Sequence, residues 1–420
     1  MNLTIKASEY CHSVFDGTHA TPKPCDKGYK LVTSKHISNN VLDYESAYFI
    51  SESDYLEINK RSKVSQWDIL FSMIGTVGDL YLEYNENIDY VIKNIGVFSC
   101  KNELKAKWLF YYLKSPLAQN HIKRFLNGAV QKFLSLKQLR DFPVLSFDEN
   151  KIFIVKILSA LDQKIAINNQ INAQLEQMAK TLYDYWFVQF DFPDENGKPY
   201  QSSGGEMVYN DTLKRNIPKG WEVGQIKDYC VSTGGFAFKS TEWTNYGNPV
   251  IKIKNIKEDQ TLDIFDIDCI DLSNKKIDEK FKGIAGNIVI AMTGATIGKF
   301  AIIPKSDVDL YINQRVGYFN LGNEPINRLP FFINSLNMDY FRDAIFALSS
   351  GAAQPNISNE QINNINLLIP NESLIRIFNQ KLKSNYSLIL NNQYENQQLT
   401  QLRDFLLPML MNGQVMVQDV

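Results

Sequence analysis

Two short, uninterrupted apolar runs stand out along the chain, and each leads into a glycine-flanked turn. The first is Asp68-Ile69-Leu70-Phe71-Ser72-Met73-Ile74, followed by Gly75-Thr76-Val77-Gly78. The second is Asn287-Ile288-Val289-Ile290-Ala291-Met292-Thr293, followed by Gly294-Ala295-Thr296-Ile297-Gly298. Apolar runs of this length, bounded by turn formers, predict buried strands. They begin at 68 and 287, 219 residues apart, and further landmarks recur in the same order. Asn94-Ile95-Gly96-Val97-Phe98 is echoed by Arg315-Val316-Gly317-Tyr318-Phe319, and Gly128-Ala129-Val130-Gln131 by Gly351-Ala352-Ala353-Gln354. Apolar strands then close both copies, Phe142-Pro143-Val144-Leu145 and Leu367-Leu368-Ile369-Pro370. A nearly constant offset across ordered landmarks indicates a tandem duplication.

Beyond each closing strand the pattern changes from runs to a 4-3 spacing. Apolar residues fall at Ile154, Leu158, Leu161, Ile165, Leu175, Ala179 and Leu182, with Asn168 and Asn172 at intermediate positions of the same register. In the second copy Phe378, Leu382, Ile389 and Leu399 hold the register, interrupted by Asn385, Asn392 and Asn396. The spacing predicts two long helices of about 45 Å each that pair through a coiled-coil seam with polar positions fixing its register. The heads mix β-branched and aromatic runs with Gly, Asn and Asp turns, which predicts mixed α/β domains. The Pro-, Gly- and Ser-rich stretch from Asp191 to Gly205 reads as a surface connection, and the second head begins near Ile217-Pro218-Lys219-Gly220-Trp221.

Composition refines this picture little. Hydrophobic residues make up 44% of the 420, enough for sizeable cores, and no apolar run reaches the roughly 18–20 residues of a membrane span. The beginning of the chain shows no signal-peptide pattern. Five scattered cysteines without a CxxC pair fit a reduced cytoplasm, and no histidine has zinc-ligand spacing, so neither disulfides nor a structural metal are expected. Net charge is −2. Lys101–Arg140 nevertheless carries nine basic residues against the single acid Glu103, either a solvated helical face or a phosphate-facing surface.

No catalytic constellation can be assembled. Gly294-Ala295-Thr296-Ile297-Gly298-Lys299-Phe300 is one residue short of a phosphate loop and has Phe at the magnesium-binding position. Asn248-Pro249-Val250 fails as an amino-methyltransferase loop, and Asp263, Asp266, Asp268 and Asp271 read as a solvated acidic loop rather than a nuclease centre. His12 and His19 with Cys11 and Cys25 form no nucleophile–base pair. What remains is a duplicated, non-catalytic protein with two heads.

Several segments resemble a known family. Asp16-Gly17-Thr18-His19-Ala20-Thr21-Pro22 looks like the opening motif of a target recognition domain in Type I restriction–modification specificity subunits. Ile157-Leu158-Ser159-Ala160-Leu161-Asp162-Gln163-Lys164-Ile165, continuing through Asn168-Asn169-Gln170-Ile171-Asn172 to Tyr185-Trp186-Phe187-Val188-Gln189-Phe190-Asp191-Phe192, resembles that family's central conserved helix. Ile217–Trp221 resembles the opening of its second recognition domain, and Gly234-Gly235-Phe236-Ala237-Phe238-Lys239-Ser240 its first glycine-rich turn, although that domain lacks the Asp-Gly-Thr-His form. The resemblance implies two target recognition domains, 1–150 and 217–370. They would be joined by a central helix (151–188), a linker (189–216) and a C-terminal helix (371–412) before a tail (413–420). The fold class is then mixed α/β with an antiparallel coiled coil and a pseudo-two-fold repeat. The implied function is a cytoplasmic subunit, not an enzyme, that reads a bipartite, interrupted DNA target. Its helices would set the half-site spacing and dock two methylation subunits, with restriction subunits joining them. S-adenosylmethionine, ATP and magnesium would belong to those partners, and no cofactor to this chain.

The resemblance also implies DNA contacts in the loops and turns of both domains. Thr18, His19, Thr21 and Lys23 offer base-edge donors and acceptors, and Phe238, Lys239 and Ser240, in the first glycine-rich turn of the second domain, are candidate DNA contacts as well. Gly75 and Thr76, with Thr293, Gly294 and Thr296, present small side chains and amides to phosphates. Gln131, Lys132, Gln354 and Asn356 follow glycines at equivalent places, where an amide can pair with adenine. For each, a turn that only stabilises the fold is the alternative. Tyr185, Trp186 and Phe187 are expected at a partner interface or, alternatively, in local packing, and Asn168, Asn172, Asn385 and Asn392 are expected to set the helix register. A scaffold without DNA reading and a stand-alone DNA-modifying enzyme are the competing functions.

Overall fold

Why the two apolar runs are unbroken becomes clear from what covers them. In the computed structural model, which describes residues 4–38, 40–126, 133–273, 276–349 and 356–415, both are inner strands of four-stranded sheets. The chain divides into two units, residues 1–164 with 399–420, and residues 165–398.

In the first unit the sheet contains β1 (Ser13–Asp16), β3 (Asp68–Ser72), β4 (Leu80–Leu82) and β6 (Ile95–Ser99), ordered β1-β6-β3-β4 with all neighbours antiparallel. Alternate residues of β3 point to opposite faces. Ile69 and Phe71 join a core with Trp108, Leu109 and Phe142 from the helical layer. Leu70 faces a second core with Val32, Tyr90 and Ile92. A strand buried on both faces needs apolar residues at consecutive positions. The second core belongs to an outer sheet in which β2 (Tyr29–Thr33) runs parallel to β5 (Tyr90–Lys93) and antiparallel to Tyr48–Ile50.

The second unit repeats this plan. Its sheet contains β7 (Ser232–Gly234), β9 (Ile288–Ala291), β10 (Phe300–Ile302) and β12 (Val316–Phe319) in the order β7-β12-β9-β10. Ile288 and Ile290 face the helical side, while Val289 and Ala291 face the outer sheet. There β8 (Asn248–Ile251) pairs in parallel with β11 (Leu310–Ile312). The outer layers differ: the first unit adds the helix Glu52–Ser62, whereas the second extends its sheet with Trp243–Thr244, Cys269–Ile270 and Lys282–Gly283.

The helix α1 (Asn150–Tyr183) and the helix α2 (Glu372–Met411) each contribute to both units. Within the second unit Asn392 donates to Asn172 at 2.8 Å, and Asn168 donates to Glu395 and Asn396 at 2.8 and 2.9 Å. Rising numbers on α1 meet falling numbers on α2, so these segments run antiparallel. Asn168, Asn172 and Asn392 are buried. Asn385 is not the inward polar residue expected: it is half-buried, and Tyr386 takes the buried position, its hydroxyl accepting from Asn334 at 2.9 Å. Asn379, also buried, accepts from the Phe331 amide at 2.8 Å. Within the first unit Arg403 pairs with Asp162 at 2.8 Å, and Tyr111 donates to the same carboxylate at 2.8 Å. No helix among the described residues is long and apolar enough to cross a membrane.

A one-turn helix after the first strand of each parallel pair carries a buried polar residue, His36 in the first unit and Asn255 in the second. The Thr33 amide donates to His36 Nδ1 at 2.9 Å, so the ring proton sits on Nε2, which is buried without a partner among the described residues. Burial, helped by Lys35, holds the His36 pKa below 6.5. The folded state therefore binds fewer protons than the unfolded state just below pH 6.5, and stability falls as pH drops through that window. Urea unfolding at pH 7.5 and 5.5 is expected to show this loss, and His36→Asn, which copies the second unit, is expected to shrink it.

Candidate nucleic-acid interface

The middle strand β6 is flanked by β1 and β3, both antiparallel to it, with Asp16 opposite Gly96 and Ser72 opposite Ile95. The loop leaving β1 and the turn leaving β3 therefore emerge at the same end of the sheet. In the second unit Gly234 opposes Gly317 and Ala291 opposes Val316, which brings the corresponding loop and turn together in the same way.

In the first unit this end is built around Asp16, a buried carboxylate. It pairs with Arg61 at 3.0 Å and with His19 Nε2 at 3.2 Å, while His19 Nδ1 lies 2.9 Å from Asn94 Oδ1. Thr18 bridges β5 through the Ile92 carbonyl, and Lys93 donates to the Thr21 hydroxyl. His19, Thr21 and Lys23 are exposed and Thr18 half-buried. Gly17 permits this arrangement, because a Cβ there would lie 2.4 Å from the Ile92 carbonyl oxygen. The turn holds Gly75 and Gly78 at φ +81° and +102°, with Gly75 and Thr76 exposed. Ile74 bridges to Phe133 beside it.

The second unit places Gly235-Phe236 where the first has Gly17-Thr18. A Cβ on Gly235 would lie 2.3 Å from the Ile312 carbonyl oxygen, and Phe236 bridges Asn313 as Thr18 bridges Lys93. The backbone amide of Gln314 donates to Phe236 O, as that of Asn94 does to Thr18 O. One residue more then precedes β12, and that residue is Arg315; both Gln314 and Arg315 are exposed. Gly294 and Gly298 hold the turn at φ +77° and +81°. Half-buried Thr293 bridges to exposed Asn356, so these residues do come together with half-buried Thr296 in the turn. Lys239 and Ser240 are exposed at a one-turn helix, where the Lys239 amide donates to Glu242.

Three expected contacts need correction. Phe238 is buried against Phe236 and Trp243, so it builds the outer-sheet core rather than a contact surface. Trp186 and Phe187 are also buried, in a wide turn of π geometry (Asp184–Val188), with Phe187 4.9 Å from Phe378 and 5.2 Å from Phe331. They hold the helix end to its own unit, and of the three aromatics only Tyr185 is exposed. Gln131, Lys132 and Gln354 lie outside the described residues.

The basic run separates into two groups. Lys107 is buried against Glu103 and the Trp67 ring, and Lys114 lies over Phe110, whereas Lys105, Lys123, Arg124 and Lys137 are exposed. Acids of the 259–271 segment are held by lysines, Asp263 by Lys257 at 2.9 Å and Asp268 by Lys252 at 2.8 Å. Gly294–Thr296 joins two strands instead of opening a helix, so it is no phosphate loop.

Sequence reasoning missed Arg61, Asn94, Gln314 and Arg315. Arg61 is 45 residues from its partner Asp16, and no local spacing announces that pair. Gln314 and Arg315 sit in the link between two strands; Arg315 was legible only as the first residue of a strand echo, and Gln314 lies just before it.

The family profile described as "Type I restriction modification DNA specificity domain" matches twice, over residues 19–177 and 218–400. The Type I restriction enzyme HindI specificity subunit of Haemophilus influenzae is 24% identical, covering 84% of this chain and 88% of that protein. The MjaVIII specificity subunit of Methanocaldococcus jannaschii is 26% identical over 86% of this chain and 82% of its own length. A solved Type I restriction–modification S subunit from M. genitalium shares the fold, with a TM-score of 0.53 at 14% identity, covering 97% of this chain and 95% of that one. With most of its length matched by the profile, the chain belongs to the Type I restriction–modification DNA specificity family, as a DNA sequence-specificity subunit and not an enzyme.

Proposed function

We propose that the chain reads a bipartite, interrupted DNA target, one half through each of two recognition domains spanning residues 1–150 and 217–370. The observation that carries this reading is the clustering, in both units, of the first loop, the glycine turn and the strand link at one end of the sheet. Each cluster holds an amide or a guanidinium suited to base edges: half-buried Asn94, beside His19, in the first, and exposed Gln314 and Arg315 in the second. The turns of Gly75-Thr76 and Thr293-Gly294 supply amides for phosphates.

In this reading the domains are a pseudo-two-fold pair, and the long helices form an antiparallel coiled coil that fixes the gap between half-sites. The hydrogen bond between Asn172 and Asn392 supports it, since a buried amide pair sets one register at some cost in stability. Exposed Ile167, Met178 and Tyr185 supply an apolar stripe, because steps of 11 and 7 residues return to one face of a helix. Such a stripe suits the docking of methylation subunits. Those partners would bring S-adenosylmethionine and methylate adenine N6, and restriction subunits would add ATP- and magnesium-dependent cleavage.

The test is positional. Asn94→Ala is expected to relax recognition in one half of the methylated motif and Arg315→Ala in the other, each at about 1–3 kcal/mol. Sequencing the methylated sites of cells carrying each variant reads this out. If both variants leave both halves intact, these ends of the sheets do not read bases.

A further inference from the structure

The second unit contains a cavity of about 680 Å³ that the proposed DNA reading does not use. Its walls include Phe187, Met338, Ala344, Leu348, Ile365 and Leu368. Arg215 and Tyr340 lie among the same lining residues. A largely apolar, preformed hollow with a few polar groups is the ordinary shape of a small-molecule site.

The first unit shows which side chains stand at the equivalent positions. Both units have the same capping box before the closing strand, Ser135 with Gln138 and Ser358 with Gln361. By that alignment Phe142 is the counterpart of Ile365, Phe125 of Leu348 and His121 of Ala344. Phe142 is fully buried, with the rings of Phe125 and His121 at 6.3 and 6.2 Å. Three rings in one unit are thus replaced by aliphatic side chains in the other, and all three of those side chains line the cavity.

Arg215 indicates the charge of the occupant. Its guanidinium stacks on the Phe190 ring at 4.8 Å. The neighbouring phenols of Tyr183 and Tyr340 are neutral, and no carboxylate pairs with Arg215 among the described residues. Arg215 is exposed and lines the cavity, so its unpaired guanidinium is open to an incoming anion, which it can bind through charge-assisted hydrogen bonds.

We propose that this cavity binds an apolar organic anion, its hydrocarbon body between the helix Asp339–Ser349 and the closing strand and its carboxylate or sulfonate on Arg215. The inference does not depend on how DNA is read.

The full-length chain is titrated with 1-anilinonaphthalene-8-sulfonate and, in parallel, with the uncharged N-phenyl-1-naphthylamine. One sulfonate probe is expected per chain, with affinity about tenfold above that of the neutral probe. Arg215→Gln is expected to remove that tenfold advantage and leave the neutral probe unchanged. The double variant Leu348→Phe/Ile365→Phe, which restores two rings of the first unit, is expected to abolish both signals with the melting transition retained. Should the double variant fail to fold, the Arg215→Gln comparison decides alone. Equal binding of both probes by the native chain, or sulfonate binding unaffected by Arg215→Gln, overturns the proposal.

Discussion

Phe187→Ala is expected to destabilise the second unit by about 3–5 kcal/mol, the usual cost of deleting a buried aromatic ring. The ring is 2% exposed and meets Tyr183, Trp221, Phe331 and Phe378 at centroid distances of 5.0, 5.9, 5.2 and 4.9 Å. These partners come from the end of α1, the start of the second domain, its helical layer and α2. Removing the ring therefore loosens four segments of one unit together. For a unit of this size such a loss lowers the melting temperature by roughly 6–20 °C. Tyr185→Ala, two residues away but exposed, is expected to cost less than about 1 kcal/mol. Calorimetry of the two variants separates these outcomes, and equal effects would mean that the aromatic cluster is not the core described.

The second large effect is expected from Gly17→Ala and Gly235→Ala. Neither glycine is needed for a left-handed backbone, and the constraint is space. An added Cβ would lie 2.4 Å from Ile92 O in the first case and 2.3 and 2.4 Å from Ile312 O and Asn313 O in the second. Backbone oxygens cannot swing aside as a flexible side chain can, so the strand link itself must move. The cost is expected at about 3 kcal/mol or more, toward the upper end for overpacking. That link carries Asn94 in one unit and Gln314 with Arg315 in the other, so DNA binding by the assembled complex is expected to fall about 100-fold or more. Gly75→Ala provides the contrast. Its Cβ would meet nothing within 4 Å, and only the φ of +81° is unfavourable, at about 1–2 kcal/mol. Binding that survives Gly17→Ala as well as it survives Gly75→Ala would remove the first loop from the interface.

Much of this architecture was legible because the chain says it twice. The strand-and-glycine pattern at Asp68 and again at Asn287 placed the inner strands and their turns, since a strand buried on both faces must be apolar throughout. The polar interruptions Asn168, Asn172 and Asn392 were legible from helix spacing. Asn385 was not, because a neighbouring tyrosine can occupy the inward position and satisfy its hydroxyl on a facing helix. Aromatic residues were misread at Trp186, Phe187 and Phe238, for composition does not distinguish a ring filling a core from one awaiting a partner. The polar cluster of Asp16, His19, Arg61 and Asn94 joins residues far apart in the chain, and only the fold brings them together. Arg315 was hidden because the second copy has an additional residue in a link where the first copy has none.

The central claim is that this chain chooses where DNA is modified. Its most direct test is a genome-wide map of N6-methyladenine in cells with and without the gene, with the methylation partners expressed in both. The account predicts the loss of one two-part motif with a fixed internal gap and no change elsewhere. An identical map in both strains would contradict it.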